Sequence, residues 1–191
     1  MRREYLVIGL VTAVAGLVVS GSDAWAKPPP LPNLVRHGSF ERPRIPVGSS
    51  HSFASIPGWH LAFGPGVEIQ NHVAGDPAVG DQFVELDSDA SSGIYQRVPT
   101  AAHRLYRLQF SFSPRPGTSA AENVLVVRWR GRVVATISAD ARELTHTDWR
   151  LYALKVRGTG GATRLEFDDG GASNSVGTYI DGVSVMRWRG H

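Results

Sequence analysis

The segment from Tyr106 to Phe112 alternates with period two: Tyr106, Leu108, Phe110 and Phe112 fall on one side, and Arg107, Gln109 and Ser111 on the other. A helix repeats every 3.6 residues and would scatter these four apolar groups around its axis, so the pattern reads as a β-strand with one buried face. The rest of the chain is cut to similar lengths, because Gly 21 and Pro 12 in 191 residues interrupt it before any long helix develops. Val124 to Trp129 and Arg132 to Ile137 flank Arg130-Gly131, a hairpin turn in which the glycine supplies the positive φ. Further strands are expected at Val67–Gln70, Gln82–Asp87, Ile94–Val98, Arg150–Val156, Arg164–Phe167 and Thr178–Met186. One short helical turn is expected around Ala139 to Leu144. Many short strands with Gly-rich turns describe an antiparallel β-sandwich in a single all-β domain.

Hydrophobic residues make up 42% of the chain and charged residues 19%, a globular balance. Lys+Arg 20 against Asp+Glu 17 leaves a net charge of +3, and no run of five basic residues occurs, which argues against nucleic acid as a partner. At the start, Arg2 and Arg3 precede an apolar stretch from Tyr5 to Val19, and Ala24-Trp25-Ala26 follows. These are the three parts of a secretory signal peptide, with cleavage expected after Ala26. The apolar run falls short of the ~20 residues that span a bilayer, so no membrane insertion is expected after cleavage. Residues 27–32 form a Pro-rich linker, and the sandwich domain is expected over 33–188. The chain has Cys 0, so an exported product would be held by its core rather than by disulfides.

An ordered set of motifs spans most of the mature chain. Asn33-Leu34-Val35-Arg36-His37-Gly38-Ser39-Phe40-Glu41 opens it, then Ile56-Pro57-Gly58-Trp59, Val67-Glu68-Ile69-Gln70, Gln82 to Ser88, Ile94-Tyr95-Gln96 and Tyr179-Ile180-Asp181-Gly182-Val183. The set resembles the secreted family catalogued as domain of unknown function 642 and, more broadly, the galactose-binding-like jelly rolls that include carbohydrate-binding modules. The resemblance implies a β-jelly roll, a secreted or periplasmic location and non-catalytic attachment to a polysaccharide or glycan of the cell wall or its surroundings. It also implies a structural Ca²⁺ held by Glu41 and Asp181, with backbone carbonyls completing the shell. The alternative for this pair is contact with arginines or backbone N–H groups. His37 and Gly182 depart from the family pattern, which has asparagine and aspartate there.

Sugars are bound by planar polar groups that bond hydroxyls and by rings that stack on the apolar sugar face. Glu68/Gln70 and Glu85/Asp87 are each spaced i, i+2, which puts each pair on one strand face. Neighbouring strands would then gather four polar groups; an ordinary solvated sheet face is the competing reading. Tyr95 beside Gln96 is the candidate stacking ring, Arg115 between Pro114 and Pro116 the candidate partner for an acidic sugar, and Trp129 and Trp188 are candidate exposed rings. No nucleophile elbow, zinc-helix motif or phosphate loop is present, so the chain reads as a non-enzyme and a monomer. A structural or protein-interaction sandwich of the envelope or matrix is the alternative function. Glu85 and Asp87 leave a glycoside hydrolase, or an esterase, as a third.

Overall fold

The computed structural model describes residues 29–189. The expected signal peptide therefore lies outside the described residues, as do the first two residues of the linker. Among the described residues every strand belongs to one compact unit, Leu31–His191. Eleven strands run in chain order: β1 Ser49–Phe53, β2 His60–Phe63, β3 Val67–Asn71, β4 Phe83–Glu85, β5 Gly93–Thr100, β6 Leu105–Ser113, β7 Val124–Trp129, β8 Arg132–Ser138, β9 Arg150–Arg157, β10 Gly161–Asp169 and β11 Tyr179–Arg187. They form a six-stranded sheet, β1-β3-β4-β11-β6-β9, and a five-stranded sheet, β2-β5-β10-β7-β8, with antiparallel pairings throughout. The protein is an all-β jelly-roll sandwich with no helix among the described residues.

The alternation in β6 does what its pattern predicts: Leu108, Phe110 and Phe112 are fully buried in the core between the sheets, with Tyr106 nearly so. Phe110 meets Phe167 of β10 edge to face at 5.2 Å, Phe167 meets Trp59 at 6.0 Å, and Trp59 in turn meets Phe40 at 5.6 Å. Each such ring contributes roughly 1.5–3 kcal/mol by leaving water. Arg130 and Gly131 both take positive φ, 60° and 74°, which gives the β7–β8 hairpin a turn twisted to match its strands.

Several expectations change. The stretch around Ala139 to Leu144 makes one turn, Leu144 N–H to Ala141 O at 2.9 Å, and no helix. Trp129 is buried, its indole N–H donating to Arg157 O at 2.8 Å, so it offers no free ring. Trp188 is partly exposed, with the Lys155 ammonium 4.5 Å from its ring centre. Strands β1 and β2 were not foreseen. Both are sheet edges, mostly exposed, and so lack the apolar alternation that marks the inner strands.

A bulge in β11 sets which residues reach the outside of the larger sheet. The register against β6 slips between Asp181 and Ser184, and Gly182 holds φ +60° there. The extra residue lets Ile180 and Val183 both face the core, while Asp181 points the other way, under the loop that follows β3.

Candidate functional site

Strands β3 and β4 are neighbours, and Glu68 lies directly opposite Glu85 in their register. Val67, Ile69 and Val84 face the core, so Glu68, Gln70 and Glu85 share the outer face of the six-stranded sheet. Three of the four expected polar groups thus come together. Asp87 does not join them, because β4 stops at Glu85 and the chain turns away, leaving Asp87 buried and bridged to Ser91.

The outer face is not an open plain. The loop from His72 to Asp81, the loop carrying Arg115 and the segment from Thr145 to Trp149 fold over it and enclose a cavity of about 600 Å³. Trp149 donates its indole N–H to Asp76 O at 2.7 Å, Thr147 donates its hydroxyl to the same carbonyl at 2.7 Å, and Phe83 packs against both Trp149 and Tyr179. Gln70 and Arg115 form the polar floor, while His72, Asp76 and His146 stand at the wall.

Glu85 organises that floor from beneath. It is fully buried; one oxygen accepts from Arg115 and from Gly177 N–H at 3.1 Å, and the other accepts from the Gln70 amide. Gln70 also donates to Glu68 at 3.0 Å. Burial pushes the Glu85 carboxyl up to about 7, with Arg115 pulling the other way and Glu68 adding a like charge. Burial and the Glu85 charge together raise the Tyr179 phenol as well. Two polar atoms are left over. Gln70 Oε1 and the Tyr179 hydroxyl are buried and make no hydrogen bond of ordinary geometry, although Gln70 lies near enough to lower the phenol's pKa. Arg115, whose side chain is 31% exposed, presents the rest of its fork to the cleft. A fixed cation beside a buried acceptor without a partner suits a polyol that also carries an acid. In the sequence Tyr179 stood only as part of a strand motif, and nothing there showed that residues 72–81 and 145–149 roof the cleft, since only the fold carries residues so far apart onto one face.

The remaining candidates lie elsewhere. Tyr95 and Gln96 sit on β5 in the other sheet, in a hollow of about 400 Å³. Gln96 is buried with its amide fully occupied: it accepts from Arg36 N–H at 2.7 Å and donates to Arg36 O at 2.8 Å and Gly58 O at 2.7 Å. It fastens the N-terminal segment to β5 and has nothing left for a ligand. The Arg164 guanidinium lies 3.6 Å from the Tyr95 ring centre and the His60 ring is 5.3 Å away, so the expected platform is already stacked.

Glu41 and Asp181 do approach each other, and burial first, with the Glu41 charge adding to it, lifts Asp181 to about 7. What converges on them, however, is N–H. Glu41 Oε1 accepts from Asp81 at 2.9 Å and Gln82 at 3.1 Å; Asp181 accepts from Val79 at 2.8 Å and Gly182 at 2.6 Å. Calcium requires six to eight oxygens. Backbone N–H groups reach both carboxylates, and the pair clamps the loop from Ala78 to Gln82, the alternative that the sequence left open. Among the described residues no group of three or more acids and histidines is placed to hold a metal. No helix among them is long and apolar enough to cross a membrane.

No protein-family model matches the chain, and no curated protein matches it. Solved structures do. A family 16 carbohydrate-binding module matches with a TM-score of 0.54 at 17% identity, over 81% of this chain and 100% of that one. The K1 cleaved adhesin domain of Lys-gingipain from Porphyromonas gingivalis W83 matches with a TM-score of 0.56 at 14% identity, over 74% and 98%. A family 61 carbohydrate-binding module in complex with β-1,4-galactotriose follows with a TM-score of 0.48 at 17% identity, over 82% and 99%. At these identities the likeness is one of fold: a jelly-roll sandwich of the kind seen in carbohydrate-binding modules.

Proposed function

We propose that this chain is an exported, monomeric, non-catalytic carbohydrate-binding domain that attaches to a cell-wall or extracellular polysaccharide through the cleft over β3 and β4. The observation that carries this reading is the buried Glu85 holding Gln70 and Arg115 at the cleft floor, with an unpartnered amide oxygen beside a partly exposed guanidinium. Sugar hydroxyls donate to Gln70 Oε1, and a carboxylate on a uronic acid pairs with the Arg115 fork. The fold relationship to a family 16 carbohydrate-binding module supports the class. A hydrolase built on Glu85 is disfavoured because both of its oxygens are occupied by N–H donors.

Retention on insoluble polysaccharides and on a glycan array tests the proposal. Wild type is expected to bind at least one acidic glycan, Arg115→Gln to lose about tenfold in affinity, and Tyr95→Ala to bind as wild type. Absence of retention on every glycan would overturn it in favour of a structural or protein-interaction module.

A further inference from the structure

A second pair of acids, at the end of the sandwich where β4 and β10 finish, has surroundings opposite in kind to those of Glu41 and Asp181. The loop after β4, residues 86–92, lies against the loop after β10, residues 170–178. Leu86 N–H donates to Thr178 O at 3.2 Å, Asp169 N–H to Ser92 O at 2.9 Å, and Ser91 N–H to Ser173 Oγ at 2.9 Å. Asp87 and Asp169 meet across Ser91, which bridges the Asp87 backbone and donates its hydroxyl to Asp169 Oδ2 at 2.7 Å. Asp87 is fully buried and Asp169 is 5% exposed. Asp87 Oδ2 accepts from Asn174 N–H at 3.0 Å, and Asp169 accepts from Gly171 N–H.

One oxygen of each carboxylate remains. Asp87 Oδ1 and Asp169 Oδ1 are buried with no hydrogen-bond partner, and so is the Ser88 hydroxyl between them in the chain. Neither loop contains Lys, Arg or His, and the neighbouring Arg128 is engaged with Asp168 at 2.6 Å. Asp89 and Glu122 border the same loops, through Ser175 and Asn174, so the surroundings add negative charge rather than offset it. Two adjoining carboxylates out of water need either a shared proton or a cation. Three buried oxygens without hydrogen-bond partners match a hard cation that takes carboxylates, hydroxyls, carbonyls and water.

We infer that Asp87, Asp169 and Ser88 form a calcium site that ties the β4–β5 loop to the β10–β11 loop. The site is separate from the cleft and does not depend on what the cleft binds.

The test uses the full chain, stripped with EDTA and titrated with CaCl₂ at pH 7.5, read by calorimetry and by thermal melting. One equivalent of Ca²⁺ is expected to bind, raising Tm by about 5–10 °C at a hundredfold excess over Kd. The heat and the shift should vanish in Asp87→Asn and Asp169→Asn and persist in Asp181→Asn, with near-UV dichroism of the tryptophans confirming each fold. Loss of protease cleavage within 170–178 on adding Ca²⁺ is a readout on wild type alone. No heat and no shift in wild type would overturn the inference and leave a shared proton between the acids. Loss of the effect in Asp181→Asn alone would overturn it in favour of the Glu41 pair.

Discussion

The cleft over β3 and β4 and the hollow beside Tyr95 are both lined by polar groups on regular strands, yet they differ in what those groups have left to offer. At Gln96 every amide atom is bonded to backbone, and Tyr95 is covered by Arg164. At Gln70 the amide nitrogen is occupied but the oxygen is not, and Arg115 is held by one edge only. A polar residue becomes a candidate for binding through unsatisfied capacity, not through its type: a group whose bonds are complete has nothing to exchange with a ligand.

The largest expected effect separates the two regions through stability. Gln96→Leu leaves Arg36 N–H, Arg36 O and Gly58 O without partners and should cost about 2–3 kcal/mol in urea denaturation, with glycan retention of the folded protein unchanged. Loss of retention would break the comparison.

The next effect comes from pH. Glu85 and Asp181 are raised to about 7 and Asp169 to about 6, chiefly by burial. The folded protein then holds more protons than the unfolded chain between about pH 4 and 7, so stability is greatest at the acid side of that window and falls as pH rises through 7. Stability should fall from pH 5 to pH 8, and Glu85→Gln should flatten the slope. A melting temperature that climbs with pH over this range would contradict the buried carboxyls.

In the cleft, Arg115→Gln should lower affinity for an acidic glycan about tenfold, some 1.4 kcal/mol, and reduce its salt dependence. A neutral glycan retained equally by both proteins would sharpen the assignment to the amide of Gln70. Smallest is Tyr95→Ala, which removes one cation–π contact worth about 0.5–1 kcal/mol and should leave retention as in wild type.

Much of the fold was legible because inner strands must alternate: β6, β7 and β11 follow their apolar periods closely. The edges β1 and β2 were not, since they are mostly exposed and a single hydrophobic contact each, Phe53 and Leu61, makes no period. The site was legible in part. The i, i+2 spacing foresaw Glu68 with Gln70, and the cross-strand register added Glu85, but the same spacing misplaced Asp87, because one turn after Glu85 redirects everything beyond it.

Periodicity, turn residues and the lack of cysteine were enough to define a two-layer sandwich held by its core, since they act through neighbours along the chain. Which acids stand beside N–H groups, which keep a bare oxygen, and which loops roof a sheet face depended on contacts between residues up to a hundred positions apart. Such pairings leave no local trace, because a carboxylate's role is set by whichever donors the completed fold brings to it.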